Sequence, residues 1–193
     1  MKIDILDKEN IKESLVEIIN THIEEVLYDD SKIDQIYESY SKKLDSIFYH
    51  YYNLQDKIEE MLYPNESYYL LIINISKIYH LLDLGRYYLD KWYHTKGKVI
   101  RKIPKIDSEK INLNKKEYVI KEFIKLFKKN KIPYELIYNI DLYDYEKYSL
   151  YFLLCDIDKI KGNKIEEVKY IVNYTNFFYK ILLQEYEQES TNN

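Results

Sequence analysis

Apolar residues recur at helical spacing along residues 1–131, and the pattern changes after Pro133. Asp7 can cap a first helix with Ile11, Leu15, Ile18, Ile19, Val26 and Leu27 on its apolar side, ending at Asp29-Asp30. Ser31 caps a second. Its apolar positions are Ile33, Tyr37, Tyr40, Leu44, Ile47, Tyr51, Leu54, Ile58 and Met61, and their spacings alternate four and three. That is a heptad seam of about four heptads. It predicts one nearly continuous helix over 31–62, about 45 Å long at roughly 1.5 Å per residue. A helix of that length calls for a hairpin partner or a second subunit. Tyr37, Leu44, Ile47, Tyr51, Leu54 and Ile58 are therefore the candidate oligomerisation residues.

Pro64 interrupts, and Asn65 can cap a third helix with Leu71, Ile75, Ile78, Leu82, Leu89 and Trp92 as its stripe, fading at His94–Gly97. Residues 98–110 read as a short strand or an extended linker around Pro104. Asn114 and Glu117 stand at capping-box spacing ahead of a fourth helix with Ile120, Phe123, Ile124 and Phe127 inside. Beyond Pro133 the runs are short. Residues 149–156 are predicted as a strand. So are 168–173, where Val168, Tyr170 and Val172 alternate at period two. Lys161–Lys164 read as a turn. Thr175 or Asn176 can cap a last helix through Leu183, and Glu185–Glu189 can add a brief strand. The expected fold class is mainly α: a long-helix bundle of about four helices over 1–131, a small α+β module over 134–189, and a flexible tail at 190–193.

Composition narrows the function classes. The chain has 193 residues, 46% hydrophobic and 32% charged, enough to bury a core. It has no alanine, 24 tyrosines, and arginine only at 86 and 101. An A/T-rich genome explains that bias most simply, with tyrosine filling places usually held by Phe, Leu or Ala. Three glycines and three prolines leave no room for glycine-rich phosphate loops or turn-dense sandwiches. The single cysteine, Cys155, excludes an internal disulfide framework and a cysteine-rich zinc site. No apolar run of about 18 residues is present, and the charged start MKIDILDKEN does not read as a signal peptide. The expectation is a soluble, intracellular and cytoplasmic protein without a membrane partner.

The net charge of −4 is unevenly spread. Residues 1–62 carry 7 basic and 15 acidic side chains, whereas 96–131 carry 13 basic and 4 acidic. The basic segment has two readings: contact with an anionic partner, or neutralisation by the acidic helices of the same chain.

Catalytic and metal-binding patterns are absent from the sequence. His22, His50, His80 and His94 match no metal-ligand spacing, and no phosphate-loop, dinucleotide, nucleophile-elbow or kinase motif occurs. Asp156 and Asp158 would share a strand face but lack a third carboxylate. Cys155 reads as a small buried hydrophobe. No enzyme, metal or cofactor is expected. What stands out is Arg86, Tyr87, Lys91, Trp92 and Tyr93 near the end of the third helix, followed by Lys98, Arg101, Lys102 and Lys105. Cations interleaved with aromatics can neutralise phosphates and stack bases, giving weak, salt-dependent DNA binding. They are equally the favoured anchors of a protein interface.

Three stretches resemble the GINS family of replication-factor subunits: the helix IYHLLDLGRYYLDKWYHTKGKVIRKIPK running into basic residues, the segment INLNKKEYVIKEFIKLFKKN, and the tail DIDKIKGNKIEEVKYIVNYTNFFYKILLQEYEQE. The second is similar to that family's helix start, with Asn114 where Ser is usual. The third is similar to its small C-terminal β-rich module. The resemblance covers about 70–189. It implies a non-enzymatic subunit of a homo- or hetero-oligomer that links the MCM replicative helicase to partners at the DNA replication fork, associated with the nucleoid. The alternative is a small helical protein of a virus or mobile element that binds a host protein or nucleic acid through the basic-aromatic surface.

Overall fold

The computed structural model describes residues 24–27, 30–95, 99–102 and 144–191. The elements are β1 (Glu24–Leu27), α1 (Asp30–Glu59), α2 (Glu66–Ile72), α3 (Ile75–His94), β2 (Val99–Lys102), α4 (Asp144–Leu154) and α5 (Ile165–Thr191). The described chain is mainly helical, five helices packed together. β1 and β2 pair antiparallel, with Glu24 opposite Lys102 and Leu27 opposite Val99. Val26 and Leu27 thus belong to a strand, not to the end of the first predicted helix. The rest of that helix and the fourth predicted helix lie outside the described residues.

α1 forms as its heptad seam requires, as one 30-residue helix without Gly or Pro. Ile33, Leu44, Ile47, Tyr51, Leu54 and Ile58 are all buried, and Tyr37 and Tyr40 pack at the edge of the same cluster. The oligomerisation assignment needs correcting here. The chain's own helices cover the seam, so these buried positions are not free for a second subunit. Each such side chain contributes about 1.5–3 kcal/mol over leaving it in water.

The third predicted helix is two helices. Asn65 caps α2 as expected: its Oδ1 accepts from the Tyr68 N–H at 3.0 Å and from Ser67 Oγ at 2.6 Å. α2 then stops at Ile73-Asn74. Asn74 Nδ2 donates to the Leu70 carbonyl at 2.9 Å, four residues back. That bond competes with the helix ladder, and Asn74 becomes the N-cap residue of α3.

The C-terminal strands are not there. Residues 149–154 lie in α4, 168–173 lie in α5, and so do Thr175, Asn176 and Glu185–Glu189. The alternation at 168, 170 and 172 misleads because it is too short a window. Over a longer one, Val168, Val172, Thr175, Phe178, Leu182 and Glu185 form a buried stripe at spacings of three and four, and Tyr170 points outward. The run Tyr151–Leu154 is apolar on every side because every side is buried, a case in which periodicity cannot tell strand from helix. The predicted turn at 161–164 is correct, and Gly162 supplies its left-handed φ of 77°. Ser190 and Thr191 continue α5 instead of forming a tail.

One core joins both parts of the chain. Tyr51 of α1, Leu81 and Tyr88 of α3, Tyr151 of α4 and Phe178 of α5 belong to a single buried cluster. Residues 144–189 therefore share their core with the N-terminal helices and do not form a separate α+β unit. α3 is the centre: α1 and α4 run antiparallel to it and α5 parallel, as Tyr93–Asp34 with Arg86–Asp45, Tyr88–Tyr151 with Gly85–Cys155, and Lys77–Asn176 with Tyr87–Glu189 show. Among the described residues, no helix is long and apolar enough to cross a membrane.

Candidate functional site: an acid-rimmed aromatic face

The basic-aromatic cluster expected at the end of α3 is dispersed by helical geometry. Neighbours in sequence turn about 100° from one another on a helix. Arg86 and Tyr93 face α1, where Arg86 meets Asp45 at 2.7 Å and the Tyr93 hydroxyl donates to Asp34 at 2.8 Å. Tyr87 and Lys91 face α5, and Tyr87 donates to Glu189 at 3.0 Å. Trp92 faces α4, only 3% exposed and against Phe152. Its indole is a core side chain and cannot stack a base. Arg101 and Lys102 lie on β2. Lys98 and Lys105 fall outside the described residues. Of the five expected interaction residues on α3, no more than two share a face.

The end of the bundle between α3, α4 and α5 holds a dense polar cluster. Lys147 pairs with the buried Glu185 at 2.5 Å, and Lys91 stands 3.9 Å from Glu189. Burial, with Glu189 and Asp144 adding to it, pushes the Tyr148 hydroxyl up to about 12. Glu185 and Glu189 each have a lysine beside them, so the cluster is an ion-pair network that closes the core. Among the described residues no group of three or more His, Cys, Asp or Glu could hold a metal ion. Cys155 is fully buried, and burial pushes its thiol well above the usual range. That suits the packing role read from the sequence.

A different site forms where α1 and α3 cross. Phe48, Tyr49 and Tyr52 lie on two turns of α1, and Tyr79 reaches them from α3. The Phe48 ring is 5.0 Å from Tyr79, 5.9 Å from Tyr49 in an edge contact, and 6.4 Å from Tyr52 in a stacked one. Arg86 sits 5.5 Å from the centre of the Phe48 ring while bound to Asp45. Tyr79 is fixed by donating to Gln55 Oε1 at 2.6 Å, and Gln55 Nε2 donates in turn to Glu59 at 2.7 Å. Tyr49 and Tyr52 stay 62% and 48% exposed. The exposure continues past α1, where Leu62 and Tyr63 are 91% and 93% exposed.

The rim of this face is acidic. On α1, Asp45 precedes the aromatic positions and Asp56 and Glu59 follow them, and Asp83 lies one turn after Tyr79 on α3. Burial first, then the charges of Asp56 and Glu59, push the Tyr79 hydroxyl up to about 12. The face is missing from the sequence reading because its tyrosines adjoin the seam and look like more of it. Only the arrival of Tyr79 and Arg86 from α3 makes them a surface.

Comparison with protein-family models, curated proteins and solved structures finds no match.

Proposed function

We propose that the chain is a non-catalytic helical binding module whose contact face is formed by Phe48, Tyr49, Tyr52 and Tyr79. The observation that carries this reading is a contiguous aromatic surface that the chain's described helices leave open, although they cover the seam beside it. Large exposed tyrosines in ordered mutual contact are the anchors that protein interfaces favour. Among the described residues the polar cluster is a weaker candidate for chemistry, since its Glu185 and Glu189 are paired with lysines.

The test is site-specific photo-crosslinking in the cells that make the protein. A photoreactive phenylalanine at 49 or 52 should trap a discrete protein partner. The same group at Tyr170, exposed on α5, should trap none. Equal yields at all three positions would overturn the assignment.

A GINS-like replication scaffold is one special case of such a module. In its favour stands the passage of α3 into the strand Val99–Lys102 with its two basic residues. Against it, the tail expected to be β-rich is the helix α5. Trapping of the MCM helicase at position 49 or 52 would support the special case, and other partners alone would remove it.

A further inference from the structure

We propose that the acid-rimmed aromatic face of α1 and α3 receives a lysine- or arginine-bearing amphipathic helix of another protein. The inference rests on the binding-module reading and adds the chemistry of the partner.

The charges around the face select the occupant. Arg86 is held by Asp45, and Lys42 by Glu38 at 3.2 Å. Asp56, Glu59 and Asp83 form no ion pair among the described residues, and all three are exposed. Lys57 lies about 100° round the helix from Asp56, away from Tyr79. The face therefore presents aromatic rings beside carboxylates that no described residue compensates. Rings accept apolar side chains and cations alike. Arg86 above Phe48 is already an example of the second. A partner with an apolar stripe flanked by cations satisfies both features at once.

The same charges argue against other occupants. Nucleic acid and anionic lipid surfaces would bring phosphates against Asp56, Glu59 and Asp83. A second copy using the same face would set these carboxylates against themselves, because a two-fold interface is self-complementary. The strip from Asp45 to Glu59 spans about 21 Å at roughly 1.5 Å per residue, matching about four turns of a partner helix. A contact of that size belongs with small, transient interfaces.

The test uses the full chain, ¹⁵N-labelled, and two synthetic helical peptides with one leucine stripe, bearing lysine or glutamate on the polar face. The lysine peptide should shift amides in 45–59 and 79–86 and leave 165–180 unmoved. Its affinity should fall about tenfold or more at high salt, since exposed charges are screened beyond a few ångströms. It should fall comparably in Asp56→Asn/Glu59→Gln/Asp83→Asn and in Tyr49→Ser/Tyr52→Ser, with unchanged helical circular dichroism showing that these variants fold. Equal binding of the glutamate peptide, or shifts confined to another face, would overturn the proposal. So would self-association or duplex DNA binding that Tyr49→Ser/Tyr52→Ser abolishes, because the occupant of the face would then be a second copy or a nucleic acid. If the lysine peptide fails while position 49 still crosslinks a protein, the basic partner is wrong and the module reading stands. If both fail, both are wrong.

Discussion

Gly85 of α3 lies against Cys155 just past α4, so close that a Cβ on Gly85 would sit 2.6 Å from the Cys155 Cβ and 2.9 Å from its sulfur. These two residues set the distance between the central helix and α4. Alanine ordinarily improves a helix over glycine by about 1 kcal/mol. Here the contact reverses the sign, because overpacking a core costs about 1–3 kcal/mol. Gly85→Ala should lower the urea midpoint. Cys155→Ala keeps the Cβ and should not rescue it, whereas Cys155→Gly should restore part of the loss. A Gly85→Ala variant as stable as the parent would show that the helices can separate at no cost.

Thr175 offers the opposite case. It is 1% exposed, and its Oγ1 makes no hydrogen bond among the described residues. A buried hydroxyl without a partner carries a desolvation cost of about 1–3 kcal/mol. Thr175→Val keeps the shape and removes that cost. The expected result is a rise in thermal midpoint. A clear fall would mean that the hydroxyl has a partner in solution, such as a buried water.

Alkaline pH should unfold this protein through its tyrosines. Burial raises Tyr51, Tyr88 and Tyr174 above their ordinary value and pushes Tyr79, Tyr148 and Tyr170 up to about 12. The native state therefore keeps protons that the unfolded chain, titrating near 10.0, gives up. Stability from this source is fully present below pH 10 and is lost as pH rises toward 12. Urea midpoints should be flat from neutral pH to about 9.5 and then fall, and the phenolate absorbance of the buried tyrosines should appear in step with the loss of helix. Ionisation of Tyr51, Tyr88 or Tyr174 near pH 10 in a still-folded protein would contradict their burial.

The fold was legible where a pattern repeats and illegible where it is short. The seam from Ile33 to Ile58 predicts α1 over its whole length, because each heptad repeats the same statement about one face. It could not say what covers that face, and the answer is the rest of the chain, not a second subunit. Val168, Tyr170 and Val172 fit a strand only over five residues, and Tyr151–Leu154 fit nothing because burial on all sides erases periodicity. The site was harder still. Arg86, Tyr87, Lys91, Trp92 and Tyr93 look like one cluster in sequence, yet a helix sends them to three faces. Phe48 and Tyr79 are 31 positions apart and meet only through packing.

The pairing of Lys147 with Glu185 tests whether the polar cluster exists for stability. Glu185 keeps only 7% of its side-chain surface, whereas Lys147 keeps 32% and lies 5.7 Å from the Tyr151 ring centre. Lys147→Met keeps the alkyl stem over that ring and removes the charge. It leaves a carboxylate buried among tyrosines, which should cost roughly 2 kcal/mol, below the roughly 3–5 kcal/mol of a fully buried pair because the lysine end is wet. Glu185→Leu alone leaves an ammonium that can still turn to water, so its cost should be smaller. The double variant should recover most of the loss, since a buried ion pair is often replaceable by apolar groups of similar volume. A double-mutant cycle in urea measures this directly. Additive losses would show that the two side chains act independently, and the cluster would then owe its order to the tyrosine packing of Tyr88, Tyr148 and Tyr151 alone.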